Sequence, residues 1–85
     1  MKTDNIRKNL SMNVKFYRFK AGFTQEQLAE LCELSPRYMS DIENCNGNIP
    51  IDTLENIANK LDIEPFLLIK PQKHKELPKR VNMKN

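Results

Sequence analysis

Glycine is scarce in this chain: Gly22 and Gly47 are the only two among 85 residues, alongside one histidine and two cysteines. Two isolated glycines leave no glycine-rich loop to cradle a phosphate. The lone histidine, His74, lies in a basic stretch near the C-terminus, with no cysteine or second histidine beside it. Neither a metal-ligand cluster nor a nucleophile–base pair can be assembled, so catalysis is the first function class to be excluded and no cofactor is expected. Cys32 and Cys45 are too few for a disulfide framework, and the start of the chain has no signal-peptide pattern. Both features point to a reducing cytoplasm. No apolar run approaches the roughly 20 residues of a membrane span. With 29% charged residues, the composition is that of a soluble protein with no membrane partner.

What the chain does have is helical spacing. Its length allows one domain with a small core. Residues 1–5 are polar and expected to fray. From Ile6, the positions Ile6, Leu10, Val14, Tyr17 and Ala21 repeat at helical intervals, and Gly22 is placed to end that helix in a left-handed cap. Phe16 and Phe19 fall off the stripe and are expected to cover the domain edge. Thr24 with Gln27 reads as a capping box, followed by Leu28, Leu31 and Cys32 on one face. Ser35-Pro36 is a second helix start, an oxygen to cap followed by a proline at the first helical position, and Met39 and Ile42 supply the apolar face. Ala29 is small enough to let these two helices cross closely. Residues 44–50, with three asparagines and Gly47, read as a loop. A fourth helix is expected over 51–61, its core face formed by Ile51, Leu54, Ile57, Ala58 and Leu61. A short fifth one is expected over 65–69. The domain therefore spans 6–69, and residues 70–85, with two prolines and six basic residues, read as a disordered basic tail. The expected core is Leu10, Val14, Tyr17, Leu28, Ala29, Leu34, Met39, Ile42, Leu54, Ile57, Ala58 and Leu61.

The pair of short helices over 24–43 resembles the DNA-binding helix-turn-helix, and more narrowly the phage-repressor type, the Cro/cI-like or XRE family. The resemblance rests on Gln25, Leu28, Ala29, Leu34, Ser35, Tyr38, Met39, Ile42 and Glu43. Two further blocks at compatible spacing join it: Arg18-x-x-x-Gly22-Phe23-Thr24-Gln25 upstream and Leu54-x-x-Ile57-Ala58-x-x-Leu61 downstream. It covers about residues 10–69. It implies an all-α, five-helix, lambda-repressor-like domain and a transcriptional regulator, a repressor or controller, that binds double-stranded DNA as a homodimer at a palindromic operator. Control of RNA polymerase at a promoter would be steric or by contact. The length of the 44–50 loop matches longer-loop members, which include restriction-modification controller proteins.

By the same resemblance, the helix over 35–43 is the recognition helix and its N-terminal end enters the major groove. Ser35, Pro36, Arg37, Tyr38, Ser40 and Asp41 then face DNA, with Gln25 on a phosphate and Asn46 and Asn48 along the backbone. Arg37 is the only basic residue between Ala21 and Thr53, and its fork fits guanine O6 and N7. Tyr38 and Ser40 can donate to phosphates, or Tyr38 can stack its ring on sugar and methyl groups or lie half-buried at the domain edge; Asp41 can accept from a cytosine or orient Arg37. Arg18 is expected to pair with Glu43, or to aim at a phosphate. The turn position usually held by glycine is Glu33 here, at a cost of about 1 kcal/mol. Phe66-Leu67-Leu68-Ile69 is more apolar surface than one small domain can hide, so Phe66, Leu67 and Ile69 are assigned to a dimer interface.

Charge is unevenly divided. Residues 1–20 carry net +5, residues 21–66 net −7 and residues 67–85 net +5. A DNA-binding face normally leaves a basic footprint. The acidic centre supports an alternative from another class, a helix-turn-helix protein-interaction module such as an antitoxin-like or regulatory adaptor.

Overall fold

Helices need side-chain oxygens for the orphaned N–H groups of their first turns, and this sequence supplies one at three of its five helix starts. In the computed structural model, which describes residues 5–72, Asn5 caps α1 (Ile6–Ala21) by accepting from the Lys8 amide at 3.1 Å. Asn5, expected to fray, is thus held by the helix it starts. Thr24 and Gln27 form a reciprocal capping box at α2 (Gln25–Cys32), with bonds of 3.0 and 2.9 Å. Ser35 accepts from the Tyr38 amide at 3.0 Å, and Pro36 takes the first position of α3 (Pro36–Glu43). α4 (Ile51–Leu61) follows Pro50 without a side-chain cap, with Asp52 near its positive end. α5 (Phe66–Ile69) is a single turn after Pro65. Among the described residues these are the five helices, and there is no strand.

Three helices stop in one way. Gly22, Glu33 and Asp62 follow α1, α2 and α4 with φ of 84°, 60° and 60°. In each case the next amide reaches back to close the last turn: Phe23 to the Arg18 carbonyl at 3.1 Å, Leu34 to Ala29 at 2.8 Å and Ile63 to Ala58 at 3.0 Å. Asn56 on α4 donates to the Cys32 carbonyl at 2.8 Å, which pins the α2–α3 turn to α4. Asn13, buried on α1, donates to the carbonyls of Leu68 and Lys70 at 3.0 and 2.9 Å, satisfying the end of α5.

The core lies between α1, α2, α3 and α4, with Leu68 of α5 closing one end. Leu10, Val14, Leu28, Ala29, Met39, Ile42, Ile57, Ala58 and Leu61 are buried as expected, with Cys32 and Leu68 added. Tyr17, Leu34 and Leu54 are half-buried instead, packed against the core from its rim. Two expected face residues are corrected. Leu31 is 43% exposed: the buried face of α2 centres on Leu28, Ala29 and Cys32, and Leu31 points about 100° away from that centre. Ile51 is 73% exposed because it is the first residue of α4, before the helix enters the core. Ile6 is likewise exposed at the start of α1. Phe16 and Phe19 are half-buried edge residues; Phe16 meets Tyr17 edge-on at 5.0 Å, and the Arg18 guanidinium lies 4.8 Å over the Phe19 ring. The basic tail expected over 70–85 falls, from residue 73 on, outside the described residues.

Candidate nucleic-acid interface

The last residue of α3 fixes how the two helices of the motif sit on α1. Glu43 is buried beneath them. Its Oε2 accepts from Arg18 Nε at 2.6 Å, and its Oε1 accepts from Arg18 Nη2 and from Gln25 Nε2, each at 2.9 Å. Arg18 Nη1 donates to the Phe23 carbonyl at 2.9 Å. One carboxylate therefore receives α1 through a two-pronged guanidinium and α2 through an amide, which holds α3 at a fixed angle to both. A buried carboxylate needs this many donors to offset its lost hydration. The arrangement spends side chains that the sequence offered for other work. Arg18 does not aim at a phosphate, since its side chain is only 4% exposed and its donors are committed. Gln25 turns its amide nitrogen inward to Glu43 and keeps only its carbonyl oxygen and the N–H groups of the α2 start on the outside.

On the opposite side, α3 offers its first turn to solvent. Ser35, Pro36 and Arg37 are exposed, and the Arg37 side chain reaches 86% exposure. Arg37 Nε stands 3.5 Å from Asp41 Oδ1, one turn on, close enough for the carboxylate to steer the fork without burying it. Ser40 and Asp41 are half-buried, and Ser40 accepts from Asn44 at 3.3 Å. Of its expected roles Tyr38 takes the half-buried ring at the domain edge: the ring packs against the core and its hydroxyl donates to the Asn48 carbonyl at 2.9 Å. The tyrosine links α3 to the loop that follows.

That loop, 44–50, is shaped by two positive φ values, 63° at Cys45 and 126° at Gly47. Gly47 is required for its backbone angle and not for space, because a Cβ there would meet nothing within 4 Å. Asn46 and Asn48 are exposed, and the Asn46 amide closes the loop onto the Asp41 carbonyl at 2.8 Å. The structure thus leaves Ser35, Pro36, Arg37, Asn46 and Asn48 exposed, with Asp41 joining Arg37 to the Asn46 amide and Tyr38 joining α3 to Asn48. A residue the sequence did not flag also reaches it. Arg7, 41 positions away on α1, donates through Nη2 to Asn48 Oδ1 at 2.7 Å. The only signal for it was the basic character of α1.

Along α5, the apolar run divides. Leu68 is fully buried, Leu67 and Ile69 are half-buried and Phe66 is 58% exposed. Both cysteines are free thiols, Cys32 buried and Cys45 half-buried. Burial pushes the Cys32 thiol above its usual range, partly offset by the nearby charge of Lys60. Among the described residues no cluster of side chains could hold a metal ion, and no helix is long and apolar enough to cross a membrane.

A family model described as helix-turn-helix, HTH_3, matches residues 14–68. Among curated proteins, the control protein C.BamHI of Bacillus amyloliquefaciens is 38% identical over 64 residues, covering 74% of this chain and 79% of the relative. Among solved structures, a hypothetical transcription factor from Neisseria superposes with a TM-score of 0.77 at 30% identity, covering 84% of each chain. The biofilm master regulator SinR, solved in complex with DNA, superposes with a TM-score of 0.67 at 31% identity over 72% of this chain and 98% of that one.

Proposed function

The chain belongs to the HTH_3 (XRE-type) helix-turn-helix family of DNA-binding transcription regulators, and from that premise we propose that it is a sequence-specific repressor or controller that binds a palindromic operator as a homodimer. The observation that carries the reading is the exposed first turn of α3, with Arg37 free of burial and steered by Asp41, set on a base locked by Glu43. Arg37 reads a guanine through O6 and N7. Ser35 and Pro36 pack beside it at the groove, and Ser40 lies one turn behind. The outward N–H groups at the start of α2, beside Gln25, take one phosphate. Asn46, Asn48 and the loop amides track the backbone, and Tyr38 holds that loop in register with α3. The SinR structure with DNA and the control-protein relative support a regulator acting on duplex DNA.

Phe66, Leu67 and Ile69 form the two-fold interface, since Leu68 alone of the run is fully covered by its own subunit. Two-fold symmetry then sets the two α3 helices about 34 Å apart, one turn of DNA. Bound at a promoter in the cytoplasm, the dimer would block RNA polymerase or contact it. Selection from a random-sequence duplex pool tests the reading. A recurring two-fold symmetric site is expected. Absence of enrichment at low salt would overturn it in favour of a protein-interaction module. Sedimentation should give a dimer at micromolar concentration, and Phe66→Glu should return it to a monomer with its helix content intact. A wild-type monomer at high micromolar concentration would reject the interface.

A further inference from the structure

Arg7 is the one α1 cation that the fold ties to the loop beside the recognition helix, and that loop carries no cation of its own. We propose that Arg7 is a phosphate-contact residue of the DNA interface, carried in by α1 to give the 44–50 loop the positive charge its sequence lacks. The inference deepens the DNA-binding reading and rests on it.

The argument begins with electrostatics. Phosphate neutralisation by Lys and Arg supplies most of the sequence-independent affinity for DNA. Residues 21–66, which form α2, α3, the loop and α4, hold two cations, Arg37 and Lys60, against nine acids. Arg37 is committed to the groove and partly shared with Asp41. Lys60 lies in the last turn of α4, nine residues or about 13 Å along the helix from the loop end. The recognition surface therefore has to borrow its phosphate cations from elsewhere in the fold.

Arg7 is placed for that role. It lies in the first turn of α1, is exposed, and meets no carboxylate among the described residues. Its one side-chain bond among the described residues, Nη2 to Asn48 Oδ1 at 2.7 Å, uses one of the five guanidinium donors and leaves the others available to a phosphate. Asn48 is at the same time held by Tyr38 of α3 through its carbonyl. One loop residue thus joins the arginine to the recognition helix, and the guanidinium stands at the loop edge and not in free solution. Ile6, Leu10, Gly47 and Ile49 line the groove beneath it together with Arg7 and Asn48, so the arginine stem has apolar surface to lie on. A cation oriented through one donor, with the rest open, suits a phosphate passing along the loop. By contrast Arg18, the other arginine of α1, is buried with its donors spent on Glu43 and Phe23.

The test is the salt dependence of binding to a synthetic 30-base-pair duplex carrying the selected site. Four proteins are compared with the parent: Arg7→Gln, Arg7→Lys, Asn48→Ala and Lys60→Gln. Arg7→Gln should flatten the plot of log K against log salt by about 0.9 per bound subunit. Arg7→Lys should keep the parental slope, because the charge remains. Asn48→Ala should keep the slope within error, because it removes no charge, and Lys60→Gln, the same change of charge away from the loop, should leave it unaltered. Far-ultraviolet melts check that each variant folds. An Arg7→Gln slope equal to the parent's overturns the inference and leaves the DNA-binding reading standing. So does an equal loss of affinity in Arg7→Gln and Asn48→Ala with no change of slope, since the arginine would then only position the loop. Failure of the selection to yield any site overturns both together.

Discussion

At the scale of single residues, two arginines with the same chemistry have opposite fates, and burial decides which. Arg18 and Glu43 have side chains 4% and 0% exposed, so their charges are stabilised by each other, by Gln25 and the Phe23 carbonyl, and by the Phe19 ring beneath the guanidinium, with little help from water. Arg18→Met should cost about 3–5 kcal/mol, because it leaves a carboxylate buried with one neutral donor. Arg18→Met combined with Glu43→Leu should cost less than the single change, since no charge is then stranded. Urea titration of the three proteins checks this; a double variant less stable than Arg18→Met would show that the pair stabilises beyond its desolvation. Arg37 is governed by exposure instead. Arg37→Ala should leave stability within about 0.5 kcal/mol, as expected for a surface site. It should cost about 1–3 kcal/mol in binding and relax the preference at one base position per half-site. Repeating the selection with the variant checks it, and an unchanged site preference would remove α3 from the groove-reading role.

At the scale of elements, helix starts were legible in the sequence because they are local. Thr24 with Gln27 and Ser35 with Pro36 lie within three residues of the amides they serve, and both caps form. Stops after α1, α2 and α4 were legible where glycine marks them and ambiguous where Glu33 and Asp62 take its place. The strain there can be measured. Glu33→Gly should stabilise the domain by up to about 1 kcal/mol, the cost of a left-handed residue with a Cβ. Asp62→Gly should gain less, because a short polar side chain tolerates that conformation better than Glu. Denaturant midpoints decide it; a loss on Glu33→Gly would mean that the unfolded-state entropy of glycine outweighs the relieved strain. What stayed hidden was tertiary. Asn13 capping α5 and Arg7 reaching Asn48 span 55 and 41 residues, and no local pattern encodes them. Leu31 and Ile51 were misplaced for a related reason: helical spacing gives a stripe but not which edge of it a neighbouring helix covers.

At the scale of the whole molecule, the question is how a domain whose central segment carries net −7 holds a polyanion. The fold separates the work. Acids predominate on α2, α3 and α4, where Arg37 is exposed, and the cations are concentrated toward the two ends of the chain, where on the proposed reading they would supply attraction that does not depend on sequence. Among the described residues the last helix is α5, and Gln72 donates to the Tyr17 hydroxyl at 3.3 Å and to the Leu67 carbonyl at 3.4 Å. Deleting residues 73–85 removes Lys73, Lys75, Lys79, Arg80 and Lys84 and should leave the thermal midpoint of the domain unchanged. If those side chains neutralise phosphates, affinity should fall alike on selected and random duplexes. The salt slope should then shrink by about 0.9 for each lost contact. The ratio of specific to non-specific affinity should stay the same, because Arg37 and the α3 surface are untouched. Binding of full-length and shortened protein to both duplexes at several salt concentrations measures all three quantities. Equal slopes would show that the tail does not hold DNA and would leave α1 to supply the cations among the phosphate contacts; a changed specificity ratio would show that the tail reaches bases as well as backbone.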